Sequence, residues 1–507
     1  MDIFKRIKEA FSDKGEEKAP IEMGNVSIFS VRDTFSDCYD LVERGLYPGG
    51  GERIKATLFF IDGLVSGQSI AEEVIKPITE DRRFLLMSSD NEMQNMMLGG
   101  LVYAATAKKR TEMKDVISDL LNGFCAVIFP DTGVAITFEV KDKDKRSIDQ
   151  PKEEKVVKGS KDAFIEVLKT NSTLVRKKLR DPNLKIKSTV IGSESATMAA
   201  IVYIKGFTNP EIVNEAERRL SSIKTDGVLT AASIEEAVVD NPKTPFPQLI
   251  STERPDKFCL NILEGRVGIL VDGLPMGYLA PGTFSQYFKV PEDSANHFIV
   301  SSALTMLRYV SLFLTLFVPA FYTAVALFHH EMIPTKLMQS MIDAKASVPF
   351  PTAFEVLAML ISFELLQEAG LRLPNPVGET VSIIGALIVG QSAVEAKVVS
   401  PVVVVVIALA GIAGYTMPNQ DMGSALRLCR FLLTVMAVLF GIFGLAVGAG
   451  LILYHLCTLE SFNVPYITPF GEGSFKYMTR AVLRSPMKIK RKAEPALHPE
   501  NIKEREN

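Results

Sequence analysis

Two glutamates, Glu355 and Glu364, stand nine positions apart in a stretch of otherwise mostly apolar residues, 352–369. A carboxylate at membrane depth is costly unless it faces protein or water, and it marks function by default. At 100° per residue, nine positions amount to about 900°, so the two acids lie on opposite faces of one helix. Glu364 shares its face with Leu357, Leu360 and Glu368. Repeated around a symmetry axis, that face would set acidic groups below an apolar band. Acidic rings attract cations, and apolar constrictions close a path by dewetting. The expectation is that Glu364 faces a conducting path and that Leu357 and Leu360 contribute to its closed gate. The alternative sets Glu364 and Glu368 at the cytoplasmic headgroup level near Arg372, as surface charges. Glu355 would then pair with a base such as Lys345 or sit at the other interface. Gln391 and Glu395 are i,i+4 neighbours on one helical face. They would line a vestibule or hydrogen-bond a neighbouring helix.

Other chemistry finds little support. The five cysteines, Cys38, Cys125, Cys259, Cys429 and Cys457, show no CxxC or Cys/His ligand spacing, so neither a disulfide framework nor a metal site is expected. His329 and His330 lack partners at ligand spacing and read as an interfacial loop. Asp131-Thr-Gly133 and Asp272-Gly273 carry hairpin-turn chemistry without a base or nucleophile nearby. Gly49-Gly-Gly51 lacks the Lys-Ser/Thr of a phosphate loop. No catalytic constellation, cofactor or enzyme activity is expected. A net charge of -3 argues against nucleic acid as a partner.

The elements that hold these residues divide the chain in two. Up to about Asn296 charges recur every few residues; beyond it come uncharged runs at 309–330, 380–394, 398–420 and 431–459. A helix needs roughly 20 apolar residues to cross a bilayer. The run at 380–394 is short for that. The first 20 residues hold no apolar run of signal-peptide length, and 476–492 holds seven basic residues and no acidic one. Both ends are therefore expected in the cytoplasm, which asks for an even number of spans. The candidates are 303–328, 380–396, 399–418 and 431–457, with 352–369 as a pore-side or re-entrant fifth. Arg308 would snorkel to the headgroups. Val402–Val406 suits a lipid-facing helix, and the GxxxG pair Gly444 and Gly448 suits close helix packing.

The front half contains a repeat. Ala56-Thr-Leu-Phe-Phe-Ile-Asp-Gly63 and Ala199-Ala-Ile-Val-Tyr-Ile-Lys-Gly206 each precede an amphipathic stretch, and Gly123-Phe-Cys-Ala-Val-Ile-Phe resembles Gly265-Arg-Val-Gly-Ile-Leu-Val. Gly63 to Gly206 is 143 residues and Gly123 to Gly265 is 142, which implies a duplicated α/β unit of strand–turn–helix pieces. The expected organisation is an extension (1–50), a first cytoplasmic α/β subdomain (51–145), a charged, solvated linker (146–160) and a second subdomain (161–290). A helical integral membrane domain of four to five spans (291–470) and a basic cytoplasmic tail (471–507) follow.

Several blocks together resemble the A subunits of the GerA family of spore germinant receptors, with their stage V sporulation AF-type relatives. They are Asn241-Pro, Pro245-Phe-Pro247, Thr252-Glu-Arg-Pro-Asp256, Leu263-Glu-Gly-Arg-Val-Gly-Ile-Leu-Val-Asp-Gly273, Pro291-Glu-Asp293 and His329-His-Glu-Met-Ile-Pro334. Val348-Pro-Phe-Pro351, Phe363-Glu-Leu-Leu-Gln-Glu-Ala-Gly370, Val381-Ser-Ile-Ile-Gly-Ala-Leu-Ile-Val-Gly-Gln391 and Asn463-Val-Pro-Tyr466 continue the likeness, which runs from about Lys55 to Phe470. The resemblance implies a multi-pass subunit of the spore's inner membrane, acting with a transporter-like B subunit and a lipoprotein C subunit. It further implies a pentamer around a pore that releases monovalent cations when nutrient binds. A non-conducting scaffold that organises the other subunits is the alternative.

Overall fold

The computed structural model describes residues 26–50, 56–87, 89–141, 150–152, 154, 156, 158–223, 225–227, 230–372, 390–471, 475–484 and 497. The first unit opens with α1 (Ile28–Thr34), capped by Ser27, and carries strands β1 (Leu41–Leu46), β2 (Ala56–Ile61), β3 (Ala107–Arg110), β4 (Phe124–Phe129) and β5 (Val134–Glu139). Helix α2 (Met113–Leu121) precedes β4. The second unit opens with α3 (Leu168–Lys178) and carries β6 (Leu184–Ile191), β7 (Thr197–Ile204), β8 (Ile250–Thr252), β9 (Val267–Val271) and β10 (Gly277–Ala280). Helices α4 (Pro210–Ser221) and α5 (Ala231–Val238) lie between β7 and β8, and α6 (Pro255–Ile262) precedes β9.

Both sheets are antiparallel with one strand order, β1-β2-β4-β5-β3 and β6-β7-β9-β10-β8. The sequence repeat is thus also a repeat of topology. Gly63 and Gly206 end β2 and β7 with φ of 87° and 75°, a conformation that costs glycine little. The β-rich, apolar strands Phe124–Phe129 and Val267–Val271 are buried along their whole length, as central strands covered on both faces should be.

A buried ion pair joins the units. Arg176, 1 % exposed, donates from Nε and Nη2 to Asp40 at 2.8 and 3.0 Å, and from Nη1 to the Leu184 carbonyl at 2.9 Å. The described part of the linker is strapped to the second unit, although Gln150, Lys152, Lys158 and Gly159 stay exposed. Arg254, 1 % exposed, donates to the carbonyls of Glu154 (3.2 Å) and Ser160 (2.8 Å) and grips Asp256 at 2.7 and 3.0 Å. Glu154 in turn accepts from Lys257 at 2.6 Å and from Thr252. The block Thr252-Glu-Arg-Pro-Asp256 is this strap; only burial of Arg254 makes it necessary, and burial is not visible in a charged sequence.

The back half is helical: α7 (Phe298–Phe328), α8 (Thr335–Lys345), α9 (Thr352–Arg372), α10 (Pro401–Tyr415) and α11 (Gln420–Thr458). Among the described residues two helices, α7 and α11, are long and apolar enough to cross a membrane, and α10 is a shorter apolar helix. Two long apolar helices do not by themselves establish four to five spans, and most of the 380–396 candidate lies outside the described residues.

Helix α11 also corrects the span expected at 431–457. It starts eleven residues earlier and is not one rod. Gly441, at φ 64° and ψ -142°, breaks it. A Cβ at Gly444 would lie 2.1 Å from the Met436 carbonyl oxygen, and one at Gly448 would lie 2.9 Å from Leu433 Cδ2. In a straight helix residues 433 and 448 are about 22 Å apart, so α11 is a helical hairpin reversing at Gly441. Its arms, 420–440 and 442–458, are about 31 and 25 Å long, close to the thickness of a hydrocarbon core.

The hairpin apex meets the far end of α7, where Phe328 and His329 lie 3.1 Å from a Cβ built on Gly441. Its feet rest on the second unit. His455 Nε2 is 2.8 Å from Thr244 Oγ1, and Asp421 stands close enough to Glu235 of α5 to repel its charge. After the second arm the chain turns at Phe462 and Asn463, both at positive φ, and returns as Val464–Pro465. Phe462 lies under Arg219 at 4.3 Å, its amide donates to Asp240 at 2.7 Å, and buried Tyr466 packs among Phe246, Phe284 and Tyr287. The block Asn463-Val-Pro-Tyr466 thereby anchors the hairpin exit to the second unit.

Candidate functional site

Helix α9 packs an apolar face on α10, with Tyr322 of α7 beside the seam. Val356, Met359 and Leu360 pack against Val399, Val403 and Ile407 at the start of α10. Of the Val402–Val406 run, Val403 is buried in this seam, while Val405 is 66 % exposed. Glu355, 1 % exposed, accepts the Ser400 amide at 2.7 Å and lies 3.7 Å from Lys345 Nζ. It therefore caps the N-terminus of α10, where a helix offers unpaired N–H groups and positive dipole. The Lys345 partner is the one the sequence offered.

The opposite face of α9 borders an open cleft of about 540 Å³ against the first arm of α11. Leu360, Ile361, Glu364, Leu365 and Glu368 line one wall, and Ser424, Arg427, Leu428, Arg430 and Phe431 the other. Glu364, 43 % exposed, bridges them: Oε1 is 3.1 Å from Arg427 and Oε2 is 3.3 Å from Arg430. Arg430 is 4 % exposed, and Arg427 also donates to Ser424 at 2.7 Å. Leu357 is half-buried. Glu355 and Glu364 thus have separate surroundings, as their spacing requires.

Sequence reasoning missed Arg427 and Arg430. The last apolar run was started at 431 because charge ends such a run, yet these two arginines sit inside the first arm. Their signal was the i,i+3 spacing of two bases directly before an apolar stretch, opposite an unpaired acid on another segment.

The remaining candidates are structural in their placement. Gln391 donates to Glu395 at 2.8 Å along an exposed helical segment. Gly444 and Gly448 pack the two arms of α11 against each other. Arg308 does not snorkel: it donates to Asp293 at 2.6 and 3.0 Å and to the Phe288 carbonyl at 3.0 Å. Asp293 also accepts the Val290 amide at 3.0 Å, so Pro291-Glu-Asp293 fixes the entry to α7. Arg484 reinforces that entry by donating to the carbonyls of Ser294 and Asn296, both at 2.7 Å. At the hairpin feet, burial pushes the Glu235 carboxyl up to about 7, with repulsion from Asp421 adding to it.

The sequence matches the family described as Bacillus/Clostridium GerA spore germination protein over residues 30–495. Among similar proteins, the membrane protein YfkQ of Bacillus subtilis (strain 168) is 37 % identical over 445 residues, covering 87 % of this chain and 85 % of that one. Spore germination protein KA of the same organism is 34 % identical, covering 88 % and 81 %. Spore germination protein GerLA of Bacillus cereus is 32 % identical, covering 90 % and 92 %. Among solved structures, the N-terminal domain of the A subunit of the Bacillus megaterium spore germinant receptor GerK3 is 25 % identical, with a TM-score of 0.42, covering 53 % of this chain and 99 % of that one. The chain therefore belongs to the GerA family of spore germination proteins.

Proposed function

We propose that this chain is the A subunit of a spore germinant receptor, and that copies of it assemble around a path for monovalent cations that opens when nutrient binds. The observation that carries the reading is Glu364, 43 % exposed in an open cleft between two helices of an apolar bundle. Lipid is a poor covering for such a group, whereas a water-filled passage or a protein neighbour satisfies it. The subunit lies in the inner membrane of the spore as a multi-pass protein with its N-terminal units and tail in the cytoplasm. It works with a transporter-like B subunit that senses the nutrient and with a lipoprotein C subunit. The two feet of α11 on the second unit give the soluble half a mechanical hold on the membrane hairpin. Opening is then a population shift toward the state that the nutrient-loaded partner binds better.

The scaffold reading draws on one specific observation: Arg427 and Arg430 neutralise Glu364, so the carboxylate is not an uncompensated cation site. The native mass of the detergent-solubilised complex tests assembly. A symmetric ring of five copies is expected, and a complex holding a single copy of this chain overturns the proposal.

A further inference from the structure

We propose that Arg427 and Arg430 are the resting counter-ions of Glu364, and that these ion pairs latch α9 to the first arm of α11 until activation parts them. The inference rests on the reading that Glu364 faces the cation path, and it says what keeps that path shut and its carboxylate compensated at rest. Its basis is the unequal way in which the two sides of α9 are held. Toward α10 the seam is apolar and continuous through Val356, Met359 and Leu360. Toward α11 the wall stands off across a cleft of about 540 Å³, and the Glu364 pairs at 3.1 and 3.3 Å reach across it. Around them Ile361, Leu365 and Leu428 are 50 %, 67 % and 63 % exposed, so apolar packing does not close this side.

An ionic seam is also the kind that releases. The attraction between two charges is about fourfold weaker in bulk water than at the effective dielectric near a protein surface. Water entering the cleft weakens the pairs, and weaker pairs admit more water. The device therefore has two states, paired across a narrow cleft or parted across a wider, wetter one. In the second state Glu364 is released from its arginines and offers its charge to passing cations.

The test uses the full chain in its native complex, with Leu428→Cys as a reporter in a Cys457→Ser background. Two readouts are taken without nutrient. One is the rate at which a water-soluble maleimide alkylates position 428, read by peptide mass in isolated membranes. The other is potassium release from intact spores. Arg427→Gln is expected to raise alkylation at least fivefold and resting potassium release at least tenfold, with Arg427→Lys within twofold of the parent. Glu364→Gln reads the latch from the other side, so misfolding of one variant does not end the test, and it too should raise alkylation at least fivefold. Unchanged alkylation in both neutral variants overturns the latch, as does an Arg427→Lys chain as loose as Arg427→Gln. Faster alkylation with unchanged potassium release upholds the latch and refutes the conducting path.

Discussion

Replacing Gly441 by alanine probes the reversal on which the membrane half is built. Gly441 sits at φ 64° and ψ -142°, close to a region that is essentially glycine's own. Holding another residue there costs about 1–3 kcal/mol. The new methyl would also stand 3.1 Å from the Phe328 ring and from His329 Cε1. Crowding of that sort adds about 1 kcal/mol or more. The loss of unfolded-state freedom on going from glycine to alanine returns only about 0.4–1 kcal/mol. The net expectation is a loss of about 1–4 kcal/mol. Gly450→Ala supplies the comparison within the same helix. That position has helical backbone and nothing within 4 Å of its Cβ, so the change should be neutral or stabilising by up to about 1 kcal/mol. The assay is heat-induced loss of the monodisperse peak of the detergent-solubilised chain, run on both variants side by side. Gly441→Ala should melt clearly below the parent and Gly450→Ala at or above it. Equal melting of the two variants would refute the hairpin and restore a single long helix.

Three further outcomes follow from the soluble half. Asp40→Ala strands the buried Arg176 guanidinium and should cost about 3–5 kcal/mol, read as earlier unfolding of the soluble half in denaturant; a change under 1 kcal/mol would contradict the join. Glu235 has its folded-state titration raised to about 7, above that of an unfolded glutamate. Stability from this group is therefore full at low pH and falls as pH rises through about 7, and Glu235→Gln should flatten that decline, whereas parallel curves would contradict it. Arg254→Ala should release the strap, so that limited trypsin digestion cuts the 146–160 linker several-fold faster; unchanged cleavage would contradict the strap.

The soluble half was legible because its signals are local. A period of two, a glycine turn and an offset near 143 residues identify the duplicated unit, and the two sheets share one strand order. The strap on the linker was not legible, because nothing local in a run of Lys, Asp and Glu shows that the fold buries Arg254 against two of its carbonyls. In the membrane half, hydropathy located apolar matter but not its path. A scan for uncharged residues stops at Arg430, although that side chain is buried against Glu364 from another helix. It likewise passes over Gly441, because reversal depends on backbone angles that a glycine permits without announcing them. Glu364 lies on the face of α9 away from Glu355, as helical arithmetic gives it; its arginine partners are non-local, marked only by their i,i+3 spacing before an apolar stretch.

The central claim is conduction along the face of α9 that bears Glu364, and flux through the reconstituted receptor tests it most directly. Complexes of this chain with its partner subunits, placed in potassium-loaded liposomes and exposed to nutrient, should release the cation, and Glu364→Gln should lower both the release and the preference for cations over anions. Release no greater than from empty liposomes, or a Glu364→Gln receptor with native flux and selectivity, would contradict it.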